Sequence, residues 1–482
     1  MTALLVADGV CVFAKERIVE PASLSLRPGR PFTILGETGS GKSLLAQAIL
    51  GTLPAGLRAE GSVTIAGQGL SLAAGQGHRS LWGRVISVLP QEPWLALDPT
   101  MRAREQVAEG YGFVQRLSAE DANRRAQDDL ANLGLAEAGS KLPSQLSGGM
   151  AQRVAFAAAR AGGARIVIAD EPTKGLDVAR RDDVIALLMR EVAEGGGLLT
   201  ITHDLELARR MGGDLAVMLN GVIIEQGPAE EVLKVPQHAY TKRLIEADPA
   251  HWPNGQPRKA AGRPVMVAEG LGKSRGGQRL FSGQNLAVHP GEIIGITGPS
   301  GCGKSTFGDI LLGLLEPDEG KVWRGEGQPA IKFQKLYQDP PSAFPQWITL
   351  RRAVLDLVNL HGLDAARIEP LMARLRLAPE LLDRLPTEVS GGELQRFALL
   401  RVLLLDPVFL FADEPTSRLD LITQQETIEL LVELARERNC AVLIVSHDAE
   451  LIRKLSDRRI RFGAEEPETP SRVHPPPVIA LA

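Results

Sequence analysis

The motif Gly-x-x-x-x-Gly-Lys-Ser occurs twice in this chain of 482 residues, at positions 36–43 and 298–305. In the first copy it lies between a β-type run at 32–35 and a helix-type run at 44–50. Glycines let the backbone turn so that successive N–H groups face one anion, and the helix that follows adds its positive end. Each copy therefore predicts a strand, a phosphate-binding loop and a helix, which together begin an α/β domain.

Two groups of loop residues are predicted to bind the phosphates of a nucleotide. Each lysine can reach the β- and γ-phosphates, and the serine after it can ligate Mg²⁺. The first group is Gly36, Gly39, Ser40, Gly41, Lys42, Ser43 and Leu44, and the second is Gly298, Ser300, Gly301, Cys302, Gly303, Lys304, Ser305 and Thr306. Ser43 and Ser305 are the predicted metal ligands within these loops.

The same landmarks follow both loops, in the same order and at a nearly constant sequence offset. They are Gln91 and Gln338, Ser147 and Ser390, Asp170 and Asp413, and His203 and His447. A repeat of this length indicates a duplicated domain. The first copy has extra residues before its glutamine, and we place them between Leu53 and Ser80, where a surface insertion costs little stability.

Acidic residues end a buried, strand-like run in each copy. Asp170 and Glu171 follow the run 166–169, and Asp413 and Glu414 follow the run 408–412. Ligands bind at the carboxyl ends of the strands in α/β sheets. Asp170 and Asp413 suit the Mg²⁺ shell, while Glu171 and Glu414 suit a general base that polarises the attacking water.

Two further polar groups are predicted to complete each site. His203 and His447 follow the next buried strand, from which a histidine could contact the γ-phosphate and position water. Gln91 and Gln338 can offer an amide oxygen to Mg²⁺ or to water.

A serine followed by two glycines begins a predicted helix in each copy. The hydroxyl group and the free N–H groups at such a helix start can bind an anion, although a serine-capped helix without a ligand is the simpler alternative. The predicted contacts are Ser147, Gly148 and Gly149 in the first copy and Ser390, Gly391 and Gly392 in the second.

An aromatic residue, Phe13, precedes the first loop and could stack on a nucleotide base. A phenylalanine of the hydrophobic core is an equally good interpretation of the sequence. Arg275 takes the corresponding position in the second copy, where it could stack through a cation–π interaction.

Composition excludes several classes of protein. The net charge of −4 gives no global basic footprint, so no nucleic-acid partner is predicted. Cys11, Cys302 and Cys440 are isolated, which fits a reducing cytoplasm better than a disulfide framework or a metal cluster. No apolar run approaches the roughly 20 residues of a membrane span, so we expect no direct span.

Taken together, the series of motifs resembles the ATP-binding cassette (ABC) ATPases, twice, over nearly the whole chain. The resemblance makes the loops Walker A motifs, the glutamines Q-loops, the Ser-Gly-Gly segments signature sequences, the acid pairs Walker B motifs and the histidines switch histidines. It implies an α/β fold of two tandem P-loop NTPase (RecA-like) domains, each with an inserted helical subdomain, which hydrolyse ATP with Mg²⁺ as cofactor. We expect domains at 1–247 and 264–464, a linker at 248–263 and a disordered tail at 465–482.

Two segments narrow the resemblance to the dipeptide, oligopeptide and nickel importers. The segment 90–99 is similar to the extended Q-loop of that group, and Glu225-Gln226-Gly227 with 236–241 is similar to its tail after the first cassette. The resemblance implies a peripheral ATPase on the cytoplasmic face of the inner membrane, with two transmembrane permease subunits and, indirectly, an extracytoplasmic substrate-binding protein as partners. Peptides, opine-like compounds, nickel and other metal chelates are the possible cargoes.

In that family each ATP lies between the Walker A motif of one domain and the signature of the other, so the two domains are expected to pair head to tail within this chain. Both sets are complete, and we expect both to hydrolyse ATP. The alternative is a soluble tandem-cassette ATPase that acts on ribosomes or DNA. Such proteins tend to have a long charged linker, zinc-binding cysteines or basic arms, whereas the linker here is short and rich in proline.

Overall fold

The computed structural model describes residues 2–73, 77–89, 96–173, 178–255, 257–258, 261–299, 301–325, 327–417 and 419–463. Gln91, Ser300 and the predicted tail at 465–482 lie outside these ranges. Contacts divide the chain into a first unit, Met1–Trp252 with Thr416–Ile428, and a second unit, Pro253–Pro415 with Glu429–Ala482.

The first unit contains an antiparallel sheet. Its strands are β1 (Leu5–Phe13), β2 (Arg17–Leu26), β4 (Arg58–Ile65) and β5 (Gln68–Ser71), in the order β2-β1-β4-β5. Alternating residues of β2 are buried, as expected for a sheet with one face on the core.

The second sheet of this unit is mainly parallel. Its strands are β3 (Phe32–Leu35), β6 (Ile86–Leu89), β7 (Ile166–Asp170), β8 (Gly197–Thr202), β9 (Asp214–Leu219) and β10 (Val222–Pro228), in the order β10-β9-β3-β8-β7-β6. Among the described strands of this sheet, only β10 is antiparallel to its neighbour, which is β9. The whole of β3 and β8 is buried, which explains why their sequences are mainly apolar.

Helices cover the parallel sheet and form the predicted helix-rich insertion between β6 and β7. They are α1 (Lys42–Leu50), α2 (Ala103–Glu109), α3 (Ala119–Asn132), α4 (Gly148–Arg160), α5 (Val178–Ala193), α6 (Leu205–Met211), α7 (Ala229–Lys234) and α8 (Ala239–Glu246). A π-helical turn at Gly110–Val114 continues α2.

The second unit repeats this plan. Its antiparallel sheet has the order β12-β11-β14, formed by β11 (Met266–Arg275), β12 (Gln278–Val288) and β14 (Glu319–Arg324). Its parallel sheet has the order β15-β16-β17-β13-β18, formed by β13 (Ile293–Thr297), β15 (Phe333–Leu336), β16 (Phe409–Asp413), β17 (Ala441–Val445) and β18 (Arg458–Arg461). The helices are α9 (Lys304–Leu312), α10 (Leu350–His361), α11 (Ile368–Arg374), α12 (Gly391–Leu404) and α14 (Ala449–Leu455), together with the C-terminal part of α13 (Leu421–Glu437), whose residues up to Ile428 are grouped with the first unit.

The insertion expected between Leu53 and Ser80 is present as an extra edge strand. This strand, β5, pairs with β4, and a 3₁₀ turn at His78–Ser80 follows it. In the described part of the second copy, β14 has no strand beyond it.

The segment predicted as an extended linker at 248–263 is packed where it is described. The Trp252 side chain is buried and donates a hydrogen bond from Nε1 to the Ala247 carbonyl at 3.0 Å. Further along, the N–H of Gly255 donates to Lys454 O and that of Arg258 to Asp457 Oδ1, both within the second unit. A tryptophan gains free energy by burial, which accounts for the packing of Trp252 within the first unit, while the linker assignment at 248–263 stays a prediction. The bounds 1–247 and 264–464 stay predictions.

Candidate functional site

The predicted site residues of the first unit meet at one edge of its parallel sheet. Strand β8 lies between β3 and β7, and all three run in the same direction. The glycine-rich loop follows β3, His203 follows β8, and Asp170 ends β7 with Glu171 directly after it. Their carboxyl ends therefore bring the loop, the acids and the histidine together.

The first loop holds a buried ammonium group. Lys42 is 5% exposed, and its Nζ donates hydrogen bonds to the carbonyl oxygens of Gly36 at 2.8 Å and Glu37 at 2.6 Å. Burial lowers the pKa of Lys42, whereas the carboxylates of Glu171 and Asp170 raise it. A buried cation at a helix start suits the phosphates of ATP.

Glu171 is paired with the predicted histidine. Its Oε1 lies 2.7 Å from His203 Nδ1, and its Oε2 accepts a hydrogen bond from Thr202 Oγ1 at 3.2 Å. The Glu171 backbone has a φ of 48°, which is unusual for a residue with a side chain. Such conformations persist where surrounding contacts hold them, and they concentrate at functional sites.

The second unit repeats this arrangement and includes its glutamine. Glu414 has a φ of 47°, and its Oε1 lies 2.6 Å from His447 Nε2. Gln338 Nε2 donates a hydrogen bond to Glu414 Oε2 at 2.8 Å. The predicted acid, histidine and glutamine thus form one hydrogen-bonded group.

The oxygens predicted to hold Mg²⁺ also meet in the second unit. Ser305 Oγ donates a hydrogen bond to Asp413 Oδ1 at 3.1 Å, and burial raises the pKa of Asp413. A hydroxyl group and one carboxylate fit Mg²⁺, which commonly binds few protein oxygens together with phosphate and water. Lys304 Nζ donates to the carbonyl oxygens of Gly298 and Pro299, each at 2.8 Å.

Both signature serines cap their helices as predicted. Ser147 Oγ accepts a hydrogen bond from Met150 N at 3.4 Å, and Ser390 Oγ accepts one from Glu393 N at 3.3 Å. Glu393 also accepts from Ser390 N at 2.8 Å, which completes a capping box in the second copy. Both serines are exposed and therefore accessible to an anion. The glycines after them, Gly148, Gly149, Gly391 and Gly392, form the first turns of α4 and α12.

Phe13 and Arg275 occupy corresponding ends of β1 and β11. Phe13 is half-buried, and the guanidinium groups of Arg58 and Arg17 lie 4.3 and 5.3 Å from its ring centroid. It is therefore not a residue of the closed core. Arg275 is exposed, opposite Gln278 in its hairpin.

The remaining predicted binding residues lie in the two loops or in the first turns of α1 and α9. They are Gly39, Ser40, Gly41, Ser43 and Leu44 in the first unit and Gly301, Cys302, Gly303 and Thr306 in the second.

Comparison with known protein families decides the identity of the fold. The family model described as "ABC transporter" matches residues 19–174 and 281–417, once in each unit. The chain belongs to the ABC transporter family. It is an ATP-binding, ATP-hydrolysing enzyme with two tandem α/β ABC ATPase cassettes.

Related ABC proteins match almost the whole chain. The peptidoglycan transport ATP-binding protein YejF of Agrobacterium fabrum is 30% identical, over 91% of this chain and 86% of that protein. The glutathione import ATP-binding protein GsiA of Salmonella choleraesuis is 32% identical, over 91% of this chain and 81% of that protein.

Solved structures support the tandem fold. RNase-L Inhibitor has a TM-score of 0.63 and 23% identity, covering 94% of this chain and 88% of that one. A ribosome-bound archaeal Pelota and ABCE1 model has a TM-score of 0.65 and 24% identity, covering 94% and 76%. At this identity the likeness concerns the fold alone.

Sequence reasoning missed several side chains at these sites. Thr202 and Lys335 contact the acids, yet no motif includes them.

In the tail after the first cassette, Glu225 accepts hydrogen bonds from the N–H groups of Gln237 and His238 at 2.7 and 3.2 Å. The segment places Tyr240 beside Glu37 of the first loop, and burial together with that carboxylate raises the pKa of Tyr240.

Within the described ranges, no helix is both long and apolar enough to cross a bilayer.

Proposed function

We propose that this ABC ATPase powers a binding-protein-dependent importer of peptides or peptide-like compounds. In the proposal the chain lies on the cytoplasmic face of the inner membrane and works with two permease subunits and an extracytoplasmic binding protein. Two relatives, which are named for peptidoglycan transport and glutathione import, support a peptide-type cargo. Opine-like compounds and nickel or other metal chelates remain further cargoes to test.

The observation that carries the proposed chemistry is the glutamate–histidine pair in each cassette. Glu171 lies 2.7 Å from His203, and Glu414 lies 2.6 Å from His447. We propose that each glutamate accepts a proton from the attacking water while its histidine holds the carboxylate and contacts the γ-phosphate. Lys42 and Lys304 would neutralise the phosphates.

Mg²⁺ would be held by Ser43 and Asp170 in the first cassette and by Ser305 and Asp413 in the second, with Gln91 and Gln338 beside it. When bound, the ion supplies charge neutralisation at the transferred phosphate. From the motif sets we also propose that each site is completed by the signature serine of the other cassette.

Replacing the proposed bases tests this chemistry. Glu171→Gln and Glu414→Gln keep the shape of the side chain but remove its charge, and each should slow its own site by roughly 10²–10⁴-fold. Steady-state ATPase of the full chain should fall to about half or below in each variant and to near background in the double variant. Glu433→Gln is the matched control, because Glu433 lies on the surface of α13, where it pairs with Arg374 of α11. Unchanged turnover in both single variants would remove these glutamates from the mechanism.

The transport assignment needs a separate measurement. The full chain, expressed in its own host, should purify with two transmembrane permease subunits and should sediment with membranes. Recovery with ribosomes or DNA, with no permease, would support the soluble tandem-cassette alternative instead. ATPase stimulated by a binding protein loaded with a short peptide would establish the cargo class.

A further inference from the structure

The second cassette has an ammonium group beside its proposed Mg²⁺ ligand. Lys335 Nζ lies 2.6 Å from Asp309 Oδ1 and 3.8 Å from Asp413 Oδ2. The other oxygen of the same carboxylate, Asp413 Oδ1, accepts the Ser305 hydroxyl at 3.1 Å. The Asp413 carboxylate is therefore held on both sides.

Packing fixes the position of this ammonium group. The Lys335 side chain is only 12% exposed. Its Nζ lies 5.3 Å from the Tyr337 ring centroid and 5.5 Å from the Phe411 ring centroid, distances at which aromatic faces attract a cation. Two carboxylates and two rings thus surround one charge, so Lys335 has little freedom to leave Asp413.

The first cassette has no charge at the corresponding positions. Leu89 pairs with Ala169 just before Asp170, and Leu336 pairs with Ala412 just before Asp413, so Val88 corresponds to Lys335. Gln47 has the same place in α1 as Asp309 in α9, because each is the sixth residue of its helix. The Asp309–Lys335 pair is therefore specific to the second cassette.

We propose that Lys335 is a positioning residue for Asp413 and makes the second ATP site need more Mg²⁺ than the first. The ammonium group holds the carboxylate in place and competes with the incoming cation for its charge. Asp309 moderates this competition because it draws the same ammonium group away from Asp413. The inference rests on the proposed role of Asp413 as a metal ligand.

Two substitutions should change the Mg²⁺ requirement in opposite directions. Lys335→Met keeps the length of the chain and removes the competing charge, so the Mg²⁺ concentration for half-maximal nucleotide binding should fall at least about threefold. Asp309→Asn removes one of the two carboxylates that attract Lys335, so the ammonium group should interact more strongly with Asp413. The Mg²⁺ concentration for half-maximal binding should then rise by a similar factor. Lys335→Arg keeps the charge and should stay near the unsubstituted value.

The measurement is equilibrium binding of a fluorescent ATP analogue to the full chain across a Mg²⁺ titration. A Lys42→Ala background disables the first site, so that binding reports the second. Opposite shifts in the two variants support the proposal. Equal shifts, or none, overturn it, because a pair with a purely structural role would alter thermal stability without changing the Mg²⁺ dependence in opposite senses.

Introducing the Asp–Lys pair into the first cassette tests the proposal even if the variants of the second cassette misfold. Gln47→Asp with Val88→Lys, in a Lys304→Ala background, should raise the Mg²⁺ requirement of the first site at least about threefold. No change there would overturn the proposal. If nucleotide binding in the unsubstituted backgrounds does not respond to Mg²⁺ at all, the proposed function of the site fails first, and the inference fails with it.

Discussion

Gly303→Ala should strain the second phosphate-binding loop more than Gly301→Ala, two residues earlier in the same loop. Gly303 has a φ of 98°, and an added Cβ would lie 2.9 Å from Phe281 Cδ1 and 3.0 Å from Leu280 Cβ. The Phe281 ring is buried, with ring centroids 5.7 Å from those of both Phe307 and Phe462. Because rings on two sides fix Phe281, it cannot swing away from the new methyl group.

The expected loss of stability has two parts. Left-handed backbone costs a residue with a Cβ about 1–2 kcal/mol. Overpacking against a fixed core costs about 1–3 kcal/mol more. The second cassette should therefore lose roughly 2–5 kcal/mol of unfolding free energy, a fall in Tm of at least about 4 °C for a domain of this size.

Two other glycines provide matched controls. Gly301 has a φ of 81° and nothing within 4 Å of an added Cβ, so Gly301→Ala should show the backbone part alone. Gly41 has a φ of 97°, but its added Cβ would meet Val19 Cγ2 at 3.1 Å and the flexible Met218 Cε at 3.2 Å, so Gly41→Ala should be intermediate.

Thermal and urea unfolding of the nucleotide-free full chain would rank the three variants. The expected order of destabilisation is Gly303→Ala, then Gly41→Ala, then Gly301→Ala. If Gly301→Ala destabilised its cassette as much as Gly303→Ala, the backbone conformation alone would account for the loss. The argument from the fixed Phe281 ring would then be refuted.

Three further outcomes can be measured with single substitutions. Phe13→Ala should raise the Kd for ATP at the first site about tenfold if the ring stacks on adenine, whereas Arg275→Ala should change the second site less; nucleotide titration checks both. Ser390→Ala should lower the stability of the second cassette by about 1 kcal/mol in urea unfolding, because Glu393 N loses its acceptor, and Ser390→Thr should restore most of it. Burial raises the pKa of Cys440 to about 12. An unfolded thiol titrates near 8.5, so the stability that Cys440 contributes should decline as pH rises from about 8.5 towards 12. Tm measured at pH 8 and pH 10 should show a smaller decline in Cys440→Ala.

The fold and most of the site geometry could be predicted because each depends on a local pattern. The buried runs at β3 and β8 have mainly apolar sequences, and the serines before α4 and α12 are ordinary N-caps. Parallel strands then bring their carboxyl ends to one edge, which is why residues as distant in sequence as Glu171 and His203 were expected together.

What could not be predicted depends on contacts between segments that carry no motif. Trp252 lies in a proline-rich segment, and only the structure shows that its side chain is buried and hydrogen-bonded to the Ala247 carbonyl. The left-handed backbone of Glu171 and Glu414 is equally invisible in sequence, because a glutamate adopts it only where its neighbours hold it.

Lys335 shows most clearly how two copies of one motif set can differ. A motif contains the residues that the chemistry of both sites shares. The phosphate-binding loop, the acid pair, the histidine and the signature serine are present in both cassettes, so these motifs do not distinguish the two sites. Asp309 lies on the helix after the loop and Lys335 on the strand before Gln338, and neither belongs to a motif. A charge 3.8 Å from a proposed metal ligand can nevertheless alter how that ligand binds a cation. Functional asymmetry between the two sites should therefore be sought in the residues that touch the motif residues.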